Sequence, residues 1–318
     1  MINFAAANMK AMKSDFKLKG HLAMIGANTM WGLMAPVAKI VMGAGIVTPL
    51  LMTDFRIFGA AILFWLTSLI SGKREHVPPT DLLLMAGAGM IGILLNQGCY
   101  VFGVGNTSPG EASIITTTMP MWVMVFAWLI LGEPITLKKA GGILLGATGA
   151  LILVYSGMAS AVRGNNPLLG DLLVLTAQIS YSLYLTFYRN FIKKYSLVTL
   201  MKWMFTSASI VLLPISLPTL VKVDFTQFTA SEYLGVGYVV FFATYIAYIC
   251  IMIGQKNLRP TIVGMYNYFQ PIVASAVGLY LGLDRFTPMK IVAVALIFAG
   301  VYFVTISKSK SGDGQKVN

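Results

Sequence analysis

The sequence predicts an all-α membrane protein: ten transmembrane helices arranged as two inverted five-helix repeats. Three observations predict it. Of 318 residues, 57% are apolar and only 11% charged, whereas soluble domains carry about 25% charged residues. The apolar residues gather into ten stretches near the roughly 20 residues that a hydrocarbon core requires. The second half also restates the first at an offset of 151 residues, pairing Cys99 with Cys250, Gly103 with Gly254, Asn106 with Asn257, Pro109 with Pro260, Pro120 with Pro271, Thr136 with Thr287, Lys139 with Lys290 and Gly149 with Gly300. With Leu145 and Leu296 these make nine identities in 51 ungapped positions, where composition alone yields about three or four. The excess falls on Pro, Gly and Asn, residues that mark backbone geometry, so the chain reads as a duplication.

Taken in order, residues 1–19 form a polar arm holding Lys10, Lys13, Lys17 and Lys19. The apolar stretch after it is too long for a signal-peptide core and is segment 1, about 20–43. Segment 2 covers about 48–71, segment 3 about 81–104, segment 4 about 109–131 and segment 5 about 138–157, so that the first repeat is 20–157. A Gly- and Asn-containing linker, 158–168, joins the halves. Segments 6 to 10 fall at about 169–191, 197–217, 231–253, 260–283 and 288–306, so that the second repeat is 169–306. The tail 307–318 is polar. Cys99 and Cys250 both lie inside apolar stretches, which argues against a structural disulfide, and no metal-ligand spacing occurs. The net charge of +12 reads as basic loops on one side of a membrane and not as a nucleic-acid surface. No cofactor is expected.

Placing both termini in the cytoplasm puts sixteen Lys and Arg on the inner side and five on the outer side, with Arg56 and Lys202 inside segments. That is the bias the positive-inside rule requires. Five segments per half leave the second half inserted upside down relative to the first. Inverted repeats recur in secondary transporters, where the halves exchange shapes so that a central site opens to one side and then the other.

The residues Pro120, Leu131-Gly132-Glu133, Thr136 and Gly149 form a pattern that returns as Pro271, Gly282-Leu283-Asp284, Thr287 and Gly300. Twice over ten segments, after Ser/Ala/Thr-rich helices, this resembles the EamA family of the drug/metabolite transporter superfamily. The second copy departs by Gly-Leu-Asp in place of Leu-Gly-Glu. The resemblance spans about 20–306 and implies a central cavity lined mainly by segments 1, 3, 4, 6, 8 and 9, with segments 5 and 10 peripheral. It implies export of amino acids, other metabolites or toxic compounds, in a bacterial inner membrane; a monomer or weak homodimer is expected.

Polar side chains deep in hydrocarbon are costly unless they face a cavity or another helix, which selects the candidate substrate contacts. Segment 1 offers Asn28 and Trp31, and segment 6 offers Gln178 and Tyr181 at matching depth. An amide bridging two helices beside a space-filling ring explains the same pairs without a cavity. On segment 3, Ala88, Gly92, Asn96 and Tyr100 share a stripe at i+4 spacing. Segment 4 carries Thr117, which also suits back-bonding to its own helix. Tyr245 and Tyr248 of segment 8 and Tyr266 and Gln270 of segment 9 combine apolar rings with polar tips, although Tyr also populates membrane interfaces. Pro120 and Pro271 each remove a backbone bond and are candidate hinges. Glu111 opens segment 4, where a carboxylate suits a helix N-terminus or a gate that meets a substrate ammonium or a proton. Asp54 and Arg56 are two apart and do not face each other on a straight helix.

This set suits a small neutral or zwitterionic, amino-acid-like metabolite, exported by alternating access. A broad-specificity exporter of drugs or toxic compounds is the alternative. A membrane enzyme acting on lipid-linked substrates needs clustered carboxylates or a nucleophile–base set, and His21 and His76 stand alone at the inner edge. No phosphate-loop pattern supports an ATP-driven pump.

Overall fold

The computed structural model describes residues 2–43, 45–72, 75–107, 109–157, 166–280 and 287–308. Among these residues the fold is entirely helical, with no strand. Helix α1 is Ile2–Gly43, so the described part of the polar arm continues the first apolar segment as one helix. There follow α2 (Pro49–Ser71), α3 (Pro79–Gly89), α4 (Asn96–Asn106), α5 (Pro109–Thr116), α6 (Met119–Leu131) and α7 (Leu137–Gly157). The second half holds α8 (Pro167–Phe187), α9 (Leu197–Leu220), α10 (Ala230–Val240), α11 (Ala247–Asn257), α12 (Pro260–Met265), α13 (Phe269–Tyr280) and α14 (Pro288–Ile306). The linker 158–165, the Gly282-Leu283-Asp284 turn and the tail from 309 lie outside the described residues.

Eight helical stretches among the described residues are long and apolar enough to cross a membrane, including Pro79–Asn106, Ile114–Leu131 and Ala230–Asn257. α1 and the Pro260–Tyr280 stretch are helical too. Large apolar side chains such as Ile70 (86% exposed) and Leu83 (75% exposed) stand on the outside of the bundle, a surface that only hydrocarbon solvates favourably. The chain is an integral membrane protein.

Local sequence explains where the helices start and stop. Thr48 accepts the Leu51 amide at 3.2 Å and precedes Pro49 at the first helical position, where a missing N–H costs nothing. Ser196 caps α9 through the Thr199 amide, and Thr229 with Glu232 forms a reciprocal capping box on α10. Gly132 ends α6 at φ +63°, a left-handed conformation that an L side chain resists.

Two helices carry the same irregularity at the repeat offset. Met90–Leu95 joins α3 to α4 as a wide π turn, and Phe241–Ile246 joins α10 to α11 the same way. The fourth and ninth segments break at matching places as well. α5 stops at Thr116 and α6 restarts at Met119 with Pro120 in its first turn; α12 passes through a 3₁₀ turn, Tyr266–Tyr268, before α13 and its Pro271. Packing repeats too. A Cβ on Gly142 would lie 2.8 Å from the Gly300 carbonyl oxygen, and one on Gly149 would lie 2.5 Å from that of Ala293. Ala293 and Gly300 are the counterparts of Gly142 and Gly149, so the two close approaches of α7 and α14 are images of each other. A twofold relation between the halves generates that arrangement.

Candidate functional site on the axis between the halves

A residue that touches its own counterpart lies on the axis relating the repeats. Among the described residues, two such pairs stand at the 151-residue offset. Gln97 Nε2 donates to the Tyr248 hydroxyl at 2.9 Å, and Asn267 Nδ2 donates to the Thr116 carbonyl at 3.0 Å. They mark the centre of a polar and aromatic cluster that both halves build.

Backbone irregularity creates its acceptors. A π turn and a proline each leave carbonyls without their usual helical donor. Trp31 Nε1 donates to the Ala243 carbonyl in the second wide turn at 2.9 Å, and Ser180 donates to the Ile91 carbonyl in the first. Pro120 has no N–H for the Thr116 carbonyl four residues before it, and this is the oxygen Asn267 takes. Each donor comes from the half opposite its acceptor. Asn267 Oδ1 in turn accepts from Gln270 Nε2 at 2.7 Å, which also donates to Asn28 Oδ1 at 3.1 Å.

Around these bonds the rings close in. Trp31 meets Tyr181 and Tyr248 edge-on, with centroids 6.1 and 6.0 Å apart. Tyr181 continues to Tyr184, whose hydroxyl donates to Gln255 Oε1 at 3.1 Å. Arg56 reaches across from α2: its Nε donates to Thr244 Oγ1 at 3.2 Å, and the Thr244 hydroxyl donates to the Val239 carbonyl five residues back. The Tyr100 and Tyr248 phenols neighbour the guanidinium.

The predicted contacts separate into two sets. Asn28, Trp31, Tyr181, Tyr248 and Gln270 join the axial cluster through the contacts above, and Tyr100 flanks it beside Arg56. Gln178 is buried on α8 close to Tyr181. Asn96 donates to the Ala177 carbonyl on α8, while its neighbour Gln97 takes the axial place. The wide turn just before them explains this, because its extra residue rotates the i+4 stripe drawn through Ala88, Gly92 and Asn96. Thr117 back-bonds to the Ile114 carbonyl at the break in the fourth segment. Tyr245 lies apart, packed on Phe64 and bonded to Thr67; Tyr266 bonds His21 instead. Pro120 and Pro271 both sit in the first turn of a restarted helix. The Glu111 side chain lies outside the described residues. Arg56 and Thr244 were not among the sequence-selected contacts. Nothing in the sequence shows an α2 arginine meeting the middle of another helix.

Away from the axis, Glu133 is buried and takes three donors: Lys139 Nζ and Arg189 Nη1 at 3.0 Å each and Thr261 Oγ1 at 3.3 Å. It ties the α6–α7 turn to the turn after α8 and to α12. A groove of about 500 Å³ lies between α2 and α9, lined by Trp65, Leu69, Ile210 and Leu213 among others, and is separate from the axial cluster.

The pattern that defines the EamA-like transporter family matches residues 18–155 and 168–306. The chain belongs to that family. It is 22% identical over 305 residues to the uncharacterized transporter YetK of Bacillus subtilis, covering 96% of this chain and 90% of that one. It is 28% identical over 297 residues to the uncharacterized inner membrane transporter YedA of Escherichia coli, covering 90% of each. A crystal structure superposes with a TM-score of 0.72 over 92% of this chain and 97% of the other at 19% identity, which shows a shared fold. The EamA pattern thus covers both halves that the axial cluster joins.

Proposed function

We propose that this EamA protein is a secondary transporter that moves a small neutral or zwitterionic, amino-acid-like metabolite outward by alternating access. Counting α1 and the Pro260–Tyr280 stretch with the eight apolar spans gives ten, five in each half, and an odd number inverts the second half relative to the first. The Lys and Arg bias then supports both termini in the cytoplasm, and the inner membrane named for the relative YedA supports a bacterial inner membrane. One chain contains both halves, so a monomer or weak homodimer suffices. The reading is of a carrier and not an enzyme, in keeping with relatives named as transporters.

The observation that carries the proposal is the axial cluster, in which helix irregularities in one half are satisfied by Trp31, Ser180 and Asn267 from the other. Rocking the halves exposes those carbonyls, amides and rings to a ligand, and a ligand with polar ends and an apolar body replaces the bonds that opening breaks. Purified full-length protein in liposomes, assayed against an amino-acid and metabolite panel, tests this. Transport of one compound class is expected, with loss of transport and of ligand-induced thermal stabilisation in Trp31→Ala and Gln178→Ala. Absence of both transport and stabilisation across the panel, with the protein folded, would refute it.

A further inference from the structure

Arg56 is 4% exposed, and its partner Thr244 stands near the middle of the long Ala230–Asn257 rod. A guanidinium at that depth is expensive unless an anion answers it. Among the described residues no Asp or Glu lies within ion-pair distance of it. Asp54, two residues earlier, is fully buried with the Ser216 hydroxyl beside its carboxylate, and the helix turns it away from Arg56. The Arg56–Thr244 bond engages one of the five guanidinium donors. Near it, Gln97 is 2% exposed and its Oε1 completes no hydrogen bond. A buried polar atom without a protein partner calls for an explanation.

Building on the transporter reading above, we infer that Arg56 is the anchor for a substrate carboxylate. Arginine presents a planar fork that matches a carboxylate oxygen pair. Tyr100 and Tyr248, neighbours of the guanidinium, bring hydroxyl donors to the same end. Gln97 spends its amide N–H on Tyr248 and keeps its carbonyl oxygen free, an acceptor suited to an ammonium. Cation and free acceptor, joined through Tyr248, fit the two ends of an α-amino acid, with the Trp31 and Tyr181 rings beside its body. A phosphate carries more charge than a single guanidinium balances, so the monoanion is the match. Because Arg56, Gln97, Tyr181 and Tyr248 are buried, the ligand enters only when the halves part.

The test is binding to full-length protein in nanodiscs, measured calorimetrically for a panel of L-amino acids, each paired with its carboxamide. The amide of any bound amino acid is expected to bind about 30-fold or more weakly, since truncating one partner of a buried charge pair is costly. Arg56→Gln should erase the difference and Arg56→Lys should retain part of it. Thr244→Val, which keeps the charge but loosens the fork, should weaken the acid several-fold more than the amide. Equal affinity within pairs for the unsubstituted protein, or a gap that survives Arg56→Gln, would overturn the inference; should Arg56→Gln fail to fold, the unsubstituted protein and Thr244→Val decide. Binding and transport of carboxylate-free compounds alone would overturn the anchor and leave the transporter standing. Absence of transport for every compound would remove both.

Discussion

Replacing Glu133 by Gln keeps the shape of the side chain and removes its charge. Lys139, 1% exposed, then holds an ammonium with no counter-ion in reach of its present partner, whereas Arg189, 19% exposed, can turn toward water. The cost therefore falls mainly on the Lys139 pair. Breaking a buried pair by removing one partner costs about 3–5 kcal/mol, and the Arg189 and Thr261 bonds add little once Arg189 is resolvated. At about 2–4 °C per kcal/mol for chains somewhat shorter than this one, Glu133→Gln lowers the Tm of the detergent-purified protein by about 6–20 °C. The second expectation is sharper. Adding Lys139→Met removes the stranded charge and fills its place with apolar volume, so the double variant should recover most of the loss, because a buried pair exchanged for apolar residues is often close to neutral. Arg189→Gln alone should cost less than half of what Glu133→Gln does. Thermal unfolding followed by intrinsic fluorescence measures all of these. A Tm drop under about 2 °C for Glu133→Gln, or a double variant no better than the single one, would refute the assignment of Lys139 as the dominant partner.

Two further predictions test other joints of the fold. Asn267→Leu leaves the Thr116 carbonyl unpaired, at about 1–3 kcal/mol; in a Pro120→Ala background the restored amide can reach that carbonyl, so the same substitution should cost less, and equal costs in both backgrounds would break the link. The Glu75 carboxyl, in the loop before α3, is disfavoured as an anion by burial, but hydrogen bonds from Thr199 and from the Ser196 amide and hydroxyl, with Lys256 nearby, outweigh this and hold its pKa below 4.5. Its contribution is therefore present above pH 4.5 and lost as pH falls through the lower folded value, so the Tm of Glu75→Gln should converge on that of the unsubstituted protein below pH 4.5; a gap that stays constant on acidification would refute it.

The duplication was legible because prolines, glycines and an asparagine sit at a constant offset, and those residues record backbone geometry. The wide turns share that offset yet were illegible: MIGILL and FFATYI have no residue in common at any aligned position. Their shape depends on donors supplied from elsewhere, Ser180 and Trp31, and a local sequence window contains neither. The same limit explains the tyrosines. Tyr245 and Tyr248 look equivalent on a helix, but the wide turn ending at Ile246 separates their directions, sending one to Phe64 and the other to Gln97. Arg56 was readable as a costly charge needing a partner; which helix supplied that partner was a tertiary fact.

The contacts that cross between the halves differ in kind along the bundle. At the α6–α7 turn they are charged and buried, with Glu133 holding Arg189 and Thr261. On the axis, Arg56 apart, they are neutral hydrogen bonds, three of them to carbonyls that helix breaks have freed: Trp31 to Ala243, Ser180 to Ile91, Asn267 to Thr116. A neutral bond contributes about 0.5–1.5 kcal/mol net and one involving a charged group about 1.5–3. In the proposed cycle the axial bonds are thus the easier ones to exchange for bonds to a substrate. An unbroken helix has no spare carbonyls to offer in that exchange. The paired prolines and wide turns supply them, and they supply them at the one place both halves share.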